Sequence, residues 1–165
     1  QIISKELCKT ISKIDSANAD LYKANTDSYV NQLKNLDSDF EKLVKASKNN
    51  TILFGDRFPF RYFVEDYGLN YYAAFVGCSA ESEAKFETIA FLSKKVDEMN
   101  LKTIFTIEKS DKKIASSISK NSRVKGIEIL ELDSLQSVSE NDIKKGKTYL
   151  SAMKENYEVL KTALK

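Results

Sequence analysis

The residues of this chain best placed to do chemistry are carboxylates that follow apolar runs. Ile52-Leu53-Phe54 stops at Gly55, and Asp56 and Arg57 come at once. The run TIFTI ends in Glu108, GIEIL leads to Asp133, and YYAAFVG leads into Cys78-Ser79-Ala80-Glu81. If these runs are parallel strands, all four acids fall on the carboxyl edge of one sheet, where α/β proteins usually hold a ligand. Several carboxylates with Arg57 as the one base beside them suit a cation. The same acids have an ordinary alternative as helix caps. Glu81, Glu83 and Asp111 stand where helix N-termini favour negative charge. Arg57 reads either as an ion-pair partner of Asp56 and Glu108 that holds the loops, or as a group that positions a ligand carboxylate.

Composition removes whole classes of chemistry. The chain has 165 residues and no histidine. That excludes histidine acid–base catalysis, Ser-His-Asp and Cys-His arrangements, and any histidine-only zinc site within it. Cys8 and Cys78 stand far apart and fit neither a zinc finger nor a disulfide scaffold. They read as structural or incidental thiols. Five glycines form no phosphate-cradling loop. Lys and Arg total 26 against 24 Asp and Glu, so nothing electrostatic points to nucleic acid or an anionic membrane surface. There is no spanning apolar run, and the first residues form no signal peptide. Aromatic side chains crowd residues 58–75 and read as core packing.

The elements that would position the acids follow from periodicity. Residues 17–46 form one helical pattern with Tyr22, Tyr29, Leu33, Leu36, Phe40, Leu43 and Val44 on a stripe. Such a helix spans ~45 Å at the α-helical rise, more than one small lobe needs. It reads as one strand of a coiled coil or as a helix bracing two lobes. Asp15 or Ser16 is the cap before it. Upstream, Ile2, Ile3, Leu7, Ile11 and Ile14 keep helical spacing from the first residues without a cap, so the natural protein is expected to extend upstream. From Asn49 the pattern alternates. Strands are expected at 51–54, 71–77, 103–108 and 126–132, and helices near 58–67, 83–99, 111–120 and 142–164. Continuous apolar strands mark a parallel sheet covered on both faces. The expected fold is α/β: a parallel four-stranded sheet flanked by helices and preceded by a long helix. The expected division is a helical segment, 1–48, and an α/β lobe, 49–165.

Three stretches carry a family resemblance. Asp15-Ser16-Ala17-Asn18-Ala19-Asp20-Leu21-Tyr22-Lys23-Ala24-Asn25 resembles a D-P-x-N-A-x-x-Y-x-x-N pattern. Tyr62-Phe63 with Tyr67-Gly68-Leu69 resembles a YF…YGL helix, and Leu132-Asp133-Ser134 followed by Thr148–Met153 and Asn156 resembles a final ligand loop and helix. Together they resemble the metal-binding solute-binding proteins of bacterial ABC transporters, which take up zinc or manganese and include surface adhesin lipoproteins. The resemblance implies one lobe of a two-lobe protein plus its long backbone helix. It implies metal capture outside the cytoplasmic membrane, periplasmic or as a cell-surface lipoprotein, for a membrane permease. Attachment would be through a lipid anchor absent from this chain, and no substrate chemistry is implied. The family's last ligand falls on Asp133. Aligning on Tyr62 and Phe63 puts Arg57 at a His/Glu ligand position. Arginine cannot bind a cation, so Asp56 is the expected ligand, with Arg57 and Glu108 supporting from behind. Two carboxylates make an incomplete zinc or manganese site. A flavodoxin-like enzyme holding magnesium on Asp56, Glu108 and Asp133, or a structural adhesin domain, is the other reading of the same residues.

Overall fold

The computed structural model describes residues 1–75 and 84–164, so Cys78, Glu81, Glu83 and the end of the expected second strand lie outside the described residues. The chain forms two compact units, Gln1–Lys42 and Leu43–Lys165. In the first, helix α1 (Ile2–Ile14) buries none of its residues. Ile2, Ile3 and Ile14 on it are at least three-quarters exposed. The helix ends at Asp15, whose carboxylate accepts hydrogen bonds from the Asn18 side chain at 2.8 Å and the Tyr22 hydroxyl at 2.7 Å. These donors, Asn18 first, hold the Asp15 carboxyl below the usual carboxylate range. A 3-10 turn (Ser16–Asn18) then starts α2 (Ala19–Ala46), 28 residues long. Its buried positions, Val30, Leu36, Phe40 and Val44, follow the expected stripe, with Val30 added to it.

The second unit is built on four parallel strands: β1 (Thr51–Arg57), β2 (Asn70–Phe75), β3 (Thr103–Ile107) and β4 (Glu128–Leu132), in the order β2-β1-β3-β4. Among the described residues its helices are α3 (Arg61–Tyr67), α4 (Phe86–Met99), α5 (Lys113–Asn121), α6 (Glu140–Lys144) and α7 (Tyr149–Ala163). Alternation along β1 and β3 sends side chains to opposite faces. Leu53 and Ile104 go to an aliphatic core with Leu92 and Val96 of α4 and Ala115 and Ile118 of α5. Phe54 and Phe105 go to the other face, where their rings stack at 5.5 Å and Phe54 meets Phe58 edge-on at 5.1 Å. Phe58 stacks on Tyr71 at 3.9 Å. Of the aromatic residues at 58–75, Phe58 and Phe75 are buried as core packing, whereas Tyr62 is exposed.

The expected helix over 142–164 is in fact two. Gly146 adopts φ of +87°, a conformation that ends α6. Thr148 then starts α7 with a reciprocal capping box, its hydroxyl accepting from the Ser151 amide at 3.1 Å and its amide donating to the Ser151 hydroxyl at 2.9 Å. The spacing of Ile143, Leu150, Met153, Tyr157, Leu160 and Leu164 predicts one core-facing stripe, yet Ile143 is exposed. Gly146 and Lys147 occupy the positions three and four after Ile143, so the stripe has a gap where the helix breaks. Among the described residues no helix is long and apolar enough to cross a membrane.

Candidate functional site

Because the strands are parallel, Asp56, Glu108 and Asp133 do stand at the carboxyl ends of three neighbouring strands, β1, β3 and β4. Each is held by a different device. Asp56 sits in a bulge: Phe54 pairs with Ala73 and Arg57 with Phe75, so β1 has one residue more than its partner across that interval. Bulges beside sites re-aim a side chain. The preceding Gly55 lets α5 pack close against β1, since a Cβ there would lie 2.5 Å from the Ala115 Cα. One Asp56 oxygen accepts from the Arg57 amide at 2.7 Å, and the other accepts from the Ser110 hydroxyl. Ser110 also accepts from the Lys112 amide at 3.2 Å. The turn that presents it carries Lys109 and Lys112 with positive φ, 59° and 58°.

Glu108 is 7% exposed and organises the loop after β4. Its carboxylate accepts from the Ser134 amide at 2.8 Å, the Ser134 hydroxyl at 2.9 Å, and the Gln136 and Ser137 amides at 3.1 Å each. Lys109 reaches the same loop by donating to the Ser137 carbonyl. Among the described residues neither Asp56 nor Glu108 forms an ion pair with Arg57, so the ion-pair reading of Arg57 does not hold and serine hydroxyls and main-chain amides take that place. These contacts make Glu108 an anchor of the loop after β4.

Asp133 is held at both ends. Its amide donates to the Asn156 carbonyl oxygen at 2.8 Å, and its carbonyl accepts from the Asn156 amide group at 2.9 Å. Asn156 is 3% exposed on α7. One Asp133 carboxylate oxygen accepts from the Leu135 amide at 2.8 Å, and the other pairs with Lys147. That contact holds the Lys147 ammonium above the ordinary lysine range. Asp111, by contrast, accepts from the Lys113 amide at 3.0 Å at the start of α5. It is the helix-end acceptor that its position suggested.

The three acids share an edge without forming a cluster. Among the described residues no group of three or more potential ligand side chains is close enough to hold an ion. Zinc takes four donors, with nitrogen or sulfur common among them. Asp56 and Asp133 offer oxygen only, and those oxygens accept from the Arg57 and Leu135 amides, the Ser110 hydroxyl and the Lys147 ammonium. Sequence reasoning missed Ser110, Asn156 as a backbone clasp, and Lys147. Asn156 belonged to a recognised motif, but its partner lies 23 residues away, and Ser110 and Lys147 carried no local signal.

A four-stranded parallel sheet with helices on its faces, a long leading helix and a carboxylate edge defines one α/β lobe of a two-lobe solute-binding protein. The chain belongs to the zinc-uptake complex component A family of the periplasm, whose model matches residues 1–163. It is similar to the zinc-binding protein AdcA of Streptococcus pyogenes serotype M6, 30% identical over 152 residues that cover 92% of this chain and 28% of that protein. It is similar also to the high-affinity zinc uptake system protein ZnuA of Bacillus subtilis, 26% identical over 160 residues, 97% of this chain and 49% of that one. Among solved structures, the metal-dependent lipoprotein YcdH of Bacillus subtilis superposes with a TM-score of 0.80 at 26% identity, over 98% of this chain and 59% of that one. The chain therefore spans about half or less of the curated relatives' length. The resemblance read from the Asp15–Asn25, Tyr62–Leu69 and Leu132–Asn156 motifs identified the family, which is one of binding proteins.

Proposed function

We propose that this chain supplies one lobe of an extracytoplasmic metal-capture protein that delivers zinc, or manganese, to the permease of an ABC importer, with Asp56 and Asp133 donating oxygen to the cargo. The observation that carries the reading is Asp133. It is largely buried, its main chain is clasped by Asn156, and it stands at the carboxyl edge of a family member's sheet. Such support from behind is what fixes a ligating carboxylate. Two acids leave a divalent ion short of donors, so the remaining ligands come from sequence that the longer relatives have beyond this region. Residues 1–48 form the helical segment and 49–165 the lobe in this reading. The exposed isoleucines of α1 suit burial against that further sequence. The cargo passes through unchanged, with no catalysis, and the protein works as a periplasmic or lipid-anchored surface component.

The test is zinc titration into the full-length protein by calorimetry. Asp133→Ala and Asp56→Ala should each weaken affinity about tenfold or more, in line with lost ligand support. Unchanged affinity in the Asp133 variant moves the site elsewhere. The magnesium-dependent enzyme reading loses ground because Glu108, one of its three carboxylates, is taken up by four loop donors.

A further inference from the structure

We infer that Lys147 is a built-in counter-cation that competes with the cargo for Asp133 and so lowers its affinity and eases its release. The inference rests on the reading of Asp133 as a cargo ligand and adds to it a residue that tunes affinity.

The pair is not a chance surface encounter. The Asp133 side chain is 12% exposed and that of Lys147 is 27% exposed. Both backbones are fixed independently of the pair: Asp133 by Asn156, Lys147 by its amide donating to the Asp142 carbonyl at 3.0 Å. Lys147 also lies between Gly146, which ends α6, and Thr148, which caps α7. Two anchored elements therefore aim opposite charges at each other.

With no cargo bound, the ammonium neutralises a carboxylate that has lost much of its water, a loss that is costly if left uncompensated. A divalent ion arriving at the Asp133 oxygen that Lys147 occupies must displace the ammonium or bear its repulsion. Either way the two cations are negatively coupled, and the coupling is reciprocal. Lysine suits the task better than arginine. It is a compact charge on a flexible stem, free to swing aside.

The experiment uses the full-length protein with zinc ion alone, in competition with a chelator of known affinity. Lys147→Met should bind zinc at least about fivefold tighter, the lower end of typical coupling between sites. Its metal-free form should melt at lower temperature than wild type. Lys144→Met removes a nearby exposed charge that does not touch Asp133, and should shift affinity much less. If Lys147→Met does not fold, Lys147→Gln carries the same expectations. Unchanged or weaker binding in the Lys147 variants, with Asp133→Asn weakening it, overturns the competition and leaves the cargo site standing. Unchanged binding in Asp133→Asn overturns the site reading and the competition with it.

Discussion

Asn156 clasps Asp133 through both main-chain polar groups at once, accepting from its amide at 2.8 Å and donating to its carbonyl at 2.9 Å. One buried carboxamide on α7 therefore sets where the last strand ends and where its carboxylate starts. Asn156→Ala would leave two main-chain groups of Asp133 without partners in a largely buried place. Each such orphan costs about 1–3 kcal/mol. The expected result is a loss of roughly 2–6 kcal/mol in urea unfolding of the metal-free protein, with zinc affinity in the full-length protein falling as well. A melting profile indistinguishable from wild type would show that the clasp does not matter.

Gly55 is needed for space rather than for an unusual φ. A Cβ there would lie 2.5 Å from the Ala115 Cα, 2.7 Å from its Cβ and 2.8 Å from its amide nitrogen. Two of those atoms are backbone, so no side-chain adjustment relieves the clash. Gly55→Ala should cost about 1–3 kcal/mol and shift Asp56 with the displaced bulge. Adding Ala115→Gly removes only the Cβ contact and should not restore stability. Full rescue by that double variant would mean that β1 and α5 move apart easily.

Asp97 links α4 to the end of α5. It accepts from the Ser122 hydroxyl at 2.5 Å and the Arg123 amide at 2.8 Å, and these bonds, Ser122 first, lower its carboxyl below the ordinary value. A lowered folded-state value means that the unfolded chain takes up the proton first as pH falls. The stabilisation is therefore present above about pH 4, the unfolded aspartate range, and is lost as pH drops through the folded value. Asp97→Asn should melt below wild type at pH 6, and the gap should narrow towards pH 3. A gap that stays constant over that range would remove the charged state of Asp97 from the account.

Much of the lobe could be read from residues alone because its strands are continuous apolar runs, a signature of parallel sheets covered on both faces. Ile52-Leu53-Phe54 and TIFTI lie within β1 and β3. The error came where two signals conflicted. Ile143 and Leu150 keep helical spacing across Gly146, whereas the gap at Gly146-Lys147 and the glycine's left-handed backbone mark the break. The acids at the strand ends were legible because their positions follow from topology. Their partners were not: Ser110 lies 54 residues from Asp56 and Asn156 lies 23 from Asp133. Contacts at such separations leave no periodic trace, and a serine or lysine in a loop looks the same whether or not it meets a carboxylate.

Glu108 offers a test by sign of whether a strand-end acid anchors a loop or waits for a cation. A carboxylate kept for a cation with no internal donor or counter-charge, unlike Asp133 with Lys147, is under-compensated when the site is empty, so neutralising it raises metal-free stability. Glu108 instead accepts from two serine groups and two further amides of the β4–α6 loop. Charge-assisted bonds of this kind are about twice as strong as neutral ones. Glu108→Gln keeps the shape, removes the charge and turns one acceptor into a donor that faces other donors. Metal-free unfolding should therefore become easier by about 1–3 kcal/mol, and the loop around Ser134–Ser137 should exchange its amide hydrogens faster. A rise in metal-free stability would reverse the assignment and return Glu108 to the list of cation ligands.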